Sequence, residues 1–148
     1  MKLQGKGFEY LVVSATIIVV VLIVFFISKA IARKRQQQAD GVVDKAKSQL
    51  NSKNVTLSAV QVSSIADKLF QSMNGPGGDP WSIIAAFNEV KNIDDLLAVI
   101  VAFGKRKSTS WFITFDENLP SWINSELNAY WLKKLNDSLT DKNINYKF

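Results

Sequence analysis

Residues 11 to 27 read LVVSATIIVVVLIVFFI, and the meaning of this stretch divides the chain in two. Of its 17 residues only Ser14 and Thr16 are not apolar, and fourteen are Leu, Ile, Val or Phe. Tyr10 and Ser28 extend the uncharged run to 19 residues. As a helix, that run is about 29 Å long, one hydrocarbon thickness. At roughly −0.3 to −0.6 kcal/mol per large apolar residue, its insertion into a bilayer is favoured by about 4 to 8 kcal/mol. The run predicts a transmembrane helix over 10–32, preceded by a short flank over 1–9. Ala30-Ile31-Ala32 has the small-x-small form of a signal-peptidase site. The apolar stretch exceeds a usual signal core and Lys29 stands just before the cut, so an uncleaved anchor is expected.

Outward from the run, the flanks set the orientation. Lys29, Arg33, Lys34 and Arg35 crowd its C-terminal side, against Lys2 and Lys6 on the other. By the positive-inside rule the C-terminal part faces the cytoplasm, or the side that faced cytoplasm at insertion if the membrane is that of a virion. The same four cations suit anionic lipid head groups, at about 1 kcal/mol each. The net charge of +5 is unevenly spread: residues 1–28 carry +1, residues 29–55 carry +5 and residues 56–148 carry −1. The high pI is therefore a juxtamembrane property, and no basic domain face points to nucleic acid. Residues 33–55 read as a basic, polar stalk. Gly41 permits a helix break, and Val42, Val43, Ala46 and Leu50 form one short apolar stripe. That stripe fits a solvated stalk or a helix that pairs with a copy of itself.

The chain has 148 residues, and about 93 of them remain from Thr56 onward, enough for one small core. It contains neither Cys nor His. Disulfides, thiolate metal sites and every Ser-His or Cys-His catalytic pairing are thereby excluded. Asp94-Asp95 and Asp116-Glu117 are adjacent carboxylates. Sequence neighbours of this kind diverge rather than face each other across a cleft, as glycoside hydrolysis needs. The turn Gly75-Pro76-Gly77-Gly78 lacks the Lys-Ser/Thr of a phosphate loop. No catalytic constellation emerges, and the chain is expected not to be an enzyme.

Residues 56–140 read as an all-α module of five helices. Ser58 to Met73 carries a stripe of Val60, Ile65, Ala66, Leu69, Phe70 and Met73, which the Gly-rich turn stops. Asp79-Pro80 reads as an N-cap with Pro at the first helical position. Ile83, Ile84, Phe87 and Val90 then face the core. Asn92 caps a third helix, with Asp94 and Asp95 at its positive end and Gly104 closing it. Asn118, Pro120 and Trp122 open a short fourth, and Glu126 to Leu139 forms a fifth, with Leu127, Tyr130, Trp131, Leu135 and Leu139 inward. Between the third and fourth helices lie Lys105-Arg106-Lys107 and then Trp111, Phe112 and Phe115. Those aromatics read as a lid or hairpin arm packed on the helices, or as a partner-facing or lipid-dipping loop. Residues 141–148 are read as a loose polar tail.

Several of these pieces occur together in a known order. Ala66-Asp67-Lys68-Leu69, Met73 to Asp79, Phe103-Gly104-Lys105-Arg106 and Leu119 to Leu127, ending Ser125-Glu126-Leu127, resemble a single annexin repeat over roughly residues 58–139. Isolated repeats of this type are similar to ones in proteins of Bacteroidetes bacteria and their phages. The resemblance implies a five-helix unit around a Met-x-Gly-x-Gly-Thr-Asp turn, with Gly78 here in place of the Thr. It also implies a calcium site in which backbone carbonyls of Met73, Gly75 and Gly77 join the Glu126 carboxylate. One carboxylate and three carbonyls make a weak site, about 10⁻⁴ to 10⁻³ M. The other reading of the turn is a tight helix–helix connection capped by Asp79. Separately, Lys6-Gly7-Phe8-Glu9 before the greasy helix looks like a type IV prepilin leader, although Val12 stands where those pilins carry Glu.

The expectation is a non-catalytic, single-pass membrane protein. Its small helical interaction module would play a structural part in a membrane complex or a membrane-containing phage virion. Its partners are the lipid bilayer and other structural proteins, not nucleic acid, and it needs no cofactor beyond that weak calcium. The alternatives are a calcium-dependent lipid-binding module and a pilin-like subunit.

Overall fold

The computed structural model describes residues 4–74, 78–110 and 113–148, with side chains described at 16–31, 33–34, 37–74, 78–107 and 116–148. The elements in chain order are α1 (Gln4–Gln49), α2 (Ala59–Met73), α3 (Pro80–Asn88), α4 (Ile93–Phe103), β1 (Lys105–Ser110), β2 (Ile113–Asn118), α5 (Leu119–Glu126) and α6 (Ala129–Asp141). The chain divides into two units, Met1–Lys34 and Arg35–Phe148.

The first unit is helical from Gln4 on. Every residue from Ile17 to Ile27 is a large hydrophobe, and each is 49% or more exposed, so this stretch of helix is apolar around its whole circumference. Ser28, just past the run, is internally satisfied, since its Oγ donates to Val24 O at 2.7 Å. Among the described residues, no helix is long and apolar enough to cross a membrane. Of the predicted 10–32 span, the side chains of residues 10–15 and Ala32 lie outside the described set, as do all those of the prepilin-like leader.

In the second unit the stalk reading is corrected. The helix does not break at Gly41, and Ala39, Val43 and Ala46 are buried, one per turn, with Val42 and Leu50 packed beside them. This stripe covers the core of its own chain rather than standing in solvent. Asp40 pairs with Lys105 at the start of β1.

The helices begin where local chemistry starts them. Ser58 and Gln61 form a reciprocal capping box, Asp79 caps α3 with Pro80 next, and Asn92 and Asn118 cap α4 and α5. Gly104 ends α4 at φ 58°, a conformation that suits glycine. The fifth helix starts later than the sequence suggested. Asn128 Oδ1 accepts from the N–H groups of Tyr130 and Trp131, so Glu126 belongs to the end of α5. The inner face of α2 is also shifted: Val62 is buried and Val60 is exposed.

The core joins Ile65, Ala66, Leu69 and Met73 of α2 to Ile83 and Phe87 of α3, and to Leu96, Ile100 and Phe103 of α4. Leu119, Trp122 and Ile123 of α5 and Leu135 and Leu139 of α6 complete it. The segment after α4 is a hairpin: β1 and β2 pair antiparallel from Lys105 opposite Asn118 to Ser110 opposite Ile113. Arg106 faces Glu117 and Lys107 faces Asp116, so cations on one strand oppose carboxylates on the other. The fold is thus mainly helical with one two-stranded arm.

The tail is a second correction. Ile144 is buried, and Tyr146 and Phe148 pack on the core, Phe148 edge-on to Phe87 at 5.3 Å. Lys142 explains the turn into it. Its ammonium donates to the carbonyls of Phe87, Asn88 and Val90 at 3.0 to 3.1 Å, closing the C-terminal end of α3.

Candidate functional site

The Gly-rich turn lies between the end of α2 and the start of α3. Asn74 N–H bonds back to Phe70 O, and Asp79 N–H bonds to Ser72 O at 2.9 Å, so the turn is tied to the last turn of α2. The Asp79 carboxylate accepts from Trp81 N–H and from the Ser82 hydroxyl. The Ser82 bonds first, and that of Trp81, hold its carboxyl below the usual carboxylate range. Both oxygens of Asp79 are engaged as a helix cap. Beside it opens a cleft of about 590 Å³ whose lining includes Ser72, Asn74, Gly78, Asp79 and the ion-paired Lys68 and Glu89.

Glu126, at the far end of α5, reaches this turn. A Cβ at Gly78 would lie 3.0 Å from Glu126 Oε2 and 3.3 Å from Ser72 O, so the carboxylate and the end of α2 meet across a bare backbone. The Met73 side chain points into the core. Gly75 and Gly77, the other two members of the expected calcium set, lie outside the described residues. Among the described residues, no three His, Cys, Asp or Glu side chains gather as a metal group. What the described residues bring together is the Glu126 carboxylate, Gly78 and the Ser72 carbonyl at the end of α2.

The other predicted sites are spread along the chain. Lys29, Arg33 and Lys34 are exposed, and Lys29 Nζ lies 4.7 Å from the centre of the Phe25 ring. The Arg35 side chain is outside the described set. Trp111 and Phe112 lie outside the described residues, and Phe115 is in β2 with its side chain undescribed. Arg106, read in the sequence as part of a basic run and of the Phe103-Gly104-Lys105-Arg106 motif, ties three elements together. Its guanidinium stacks on Phe70 and Phe103 at 4.8 and 5.0 Å and bonds Asp67 at 2.7 Å.

Two features escaped the sequence reading. The Asp94-Asp95 pair serves as a receptor for the segment after α1. Asp95 accepts from Thr56 N–H, Thr56 Oγ1, Leu57 N–H and Lys91 N–H, while Asp94 accepts from Asn51 N–H and Asn54 Nδ2. Burial pushes the Asp95 carboxyl up, but the donors from Thr56, Lys91 and Leu57 outweigh it and hold it below the usual range. The second feature is an exposed aromatic corner. Trp81 is 63% and Tyr130 65% exposed, against the expectation that Tyr130 faces inward, and Trp131 is only partly buried between them. Leu127, Leu135 and Leu139 of the same predicted face are buried as expected, and Trp131 packs against the edge of the core.

No protein-family model, no curated protein and no solved structure matches this chain.

Proposed function

We propose that this chain is a non-catalytic, single-pass membrane protein. Its helix-rich unit serves protein contacts, as a structural component of a membrane complex or of a membrane-containing virion. The observation that carries the proposal is the run Ile17–Ile27. These are eleven consecutive large hydrophobes exposed on all sides of a helix, which water does not tolerate and lipid does. At roughly −0.3 to −0.6 kcal/mol each, these residues alone favour insertion by about 3 to 7 kcal/mol. The cations Lys29, Arg33 and Lys34 that follow favour a cytoplasmic C-terminal unit. Charged substitution tests the anchor. Val21→Arg with Val24→Arg adds about 6 to 8 kcal/mol to insertion and should abolish flotation of the full chain with liposomes. Flotation equal to that of the unsubstituted chain refutes the proposal.

A second reading is favoured by the meeting of Glu126 with Gly78: the turn binds calcium and brings the unit to anionic lipid. Glu126 and carbonyls of the turn would hold the ion, and the ion would supply positive charge at a lipid surface. Calorimetric titration of the full chain in detergent should then give a dissociation constant of about 10⁻⁴ to 10⁻³ M that Glu126→Gln removes. Identical heats in the two proteins dispose of this reading.

A further inference from the structure

The aromatic corner has the geometry of a cation receptor. Trp81 enters from the first turn of α3, and Tyr130 and Trp131 from the first turn of α6. The Trp81 and Trp131 rings stand at 73° with centres 4.7 Å apart, and Tyr130 and Trp131 at 78° and 5.1 Å. Each neighbouring pair is thus in edge-to-face contact, which locks the three rings into one cluster. A cation already lies over all three rings. Lys134 Nζ lies 4.7 Å from the centre of Trp81, 5.3 Å from Trp131 and 5.8 Å from Tyr130. All three distances are within the range of cation–π attraction.

We infer that Trp81, Tyr130 and Trp131 form a binding site for a quaternary ammonium group, which displaces the ammonium of Lys134. Two properties make the exchange favourable. A lysine ammonium is compact and strongly hydrated, and Lys134 is exposed, so its flexible stem returns the charge to water without breaking the fold. A quaternary ammonium is bulky and weakly hydrated. It loses little on leaving water and can touch all three rings from the place where Lys134 Nζ now lies, the chemistry by which such cations are recognised. The rings themselves are accessible, since Trp81 and Tyr130 are each almost two-thirds exposed. Lys134 is thus an internal competitor that keeps the site closed to weak ligands. The choline head group of a lipid and a free trimethylammonium compound share this chemistry.

The test uses the full chain in dodecyl maltoside micelles, with its indole N–H groups followed by NMR. Tetramethylammonium chloride is titrated against sodium chloride at matched ionic strength. The Trp81 and Trp131 signals should shift saturably, and Lys134→Met should bind about tenfold more tightly because its competitor is gone. Trp81→Ala and Tyr130→Ala, both at exposed positions, should each weaken binding by about tenfold, with helical circular dichroism retained. Choline in solution and phosphatidylcholine in mixed micelles separate the free from the lipid-borne ligand, with phosphatidylethanolamine, a primary ammonium, giving no shift. The inference is overturned if Lys134→Met responds no differently to tetramethylammonium than to sodium. It is equally overturned if both aromatic variants bind like the unsubstituted chain.

Discussion

Replacing Asp95 by Ala should be among the most damaging single changes in the helix-rich unit, for a reason that lies outside the apolar core. Asp95 is fully buried, and its two oxygens collect four donors: Thr56 N–H at 2.7 Å, Thr56 Oγ1 at 2.8 Å, Lys91 N–H at 3.1 Å and Leu57 N–H at 3.2 Å. Leu57 is buried, so its N–H loses its acceptor outright, at about 1 to 3 kcal/mol. The other donors belong to exposed Thr56 and Lys91 and regain water, so each loss is nearer 0.5 to 1 kcal/mol. The total is about 3 to 6 kcal/mol, against roughly 5 to 15 kcal/mol for a whole domain. Asp95→Asn keeps one oxygen acceptor but aims an amide N–H₂ at donors, and should fall between. Urea unfolding of the full chain in detergent, followed by tryptophan emission, measures the loss. Amide exchange should show Leu57 freed first. The carboxyl is held below its ordinary range in the fold, so its contribution is complete above that range. It disappears as pH falls through the depressed folded value. A loss under about 1 kcal/mol for Asp95→Ala, or Leu57 protection unchanged, would refute the reasoning.

Other substitutions probe other joints. Arg106→Lys keeps the charge but loses the planar group stacked on Phe70 and Phe103, and should cost about 1 to 2 kcal/mol in the same urea assay. Equal midpoints would show that charge alone matters there. Lys142→Met leaves three carbonyls at the end of α3 without their shared donor and should cost about 1 to 3 kcal/mol, with faster exchange in the tail after Ile144. Unaltered exchange would mean that Ile144 and Phe148 hold the tail unaided.

What the sequence disclosed was local chemistry. Asp79-Pro80, Asn92, Gly104 and Asn118 each act on backbone groups within four residues, so their roles are written beside the elements they start or end. The hairpin at Lys105 to Asn118 was open between lid and arm, because its pairing depends on register rather than on composition. What was hidden depends on distance along the chain. Nothing near Asp95 shows that its partners are Thr56 and Leu57, and nothing near Lys142 points to the end of α3. Helical spacing placed Tyr130 and Trp131 inward. It also placed Leu127, Leu135 and Leu139 inward, and these three are buried; Trp131 packs against the core in part, and Tyr130 alone of the five is exposed. At the Gly-rich turn, only the resemblance to an annexin repeat implied that Glu126 and the glycines belong together. Only the packing of α5 brings that carboxylate beside Gly78.

The central claim is that the run from Leu11 to Ile27 is buried in lipid. Extraction of membranes carrying the full chain with alkaline carbonate tests it most directly, because peripheral proteins are stripped and spanning helices stay. The account predicts that the chain remains wholly with the membrane pellet and leaves it only with detergent. Recovery of the chain in the carbonate supernatant would contradict it.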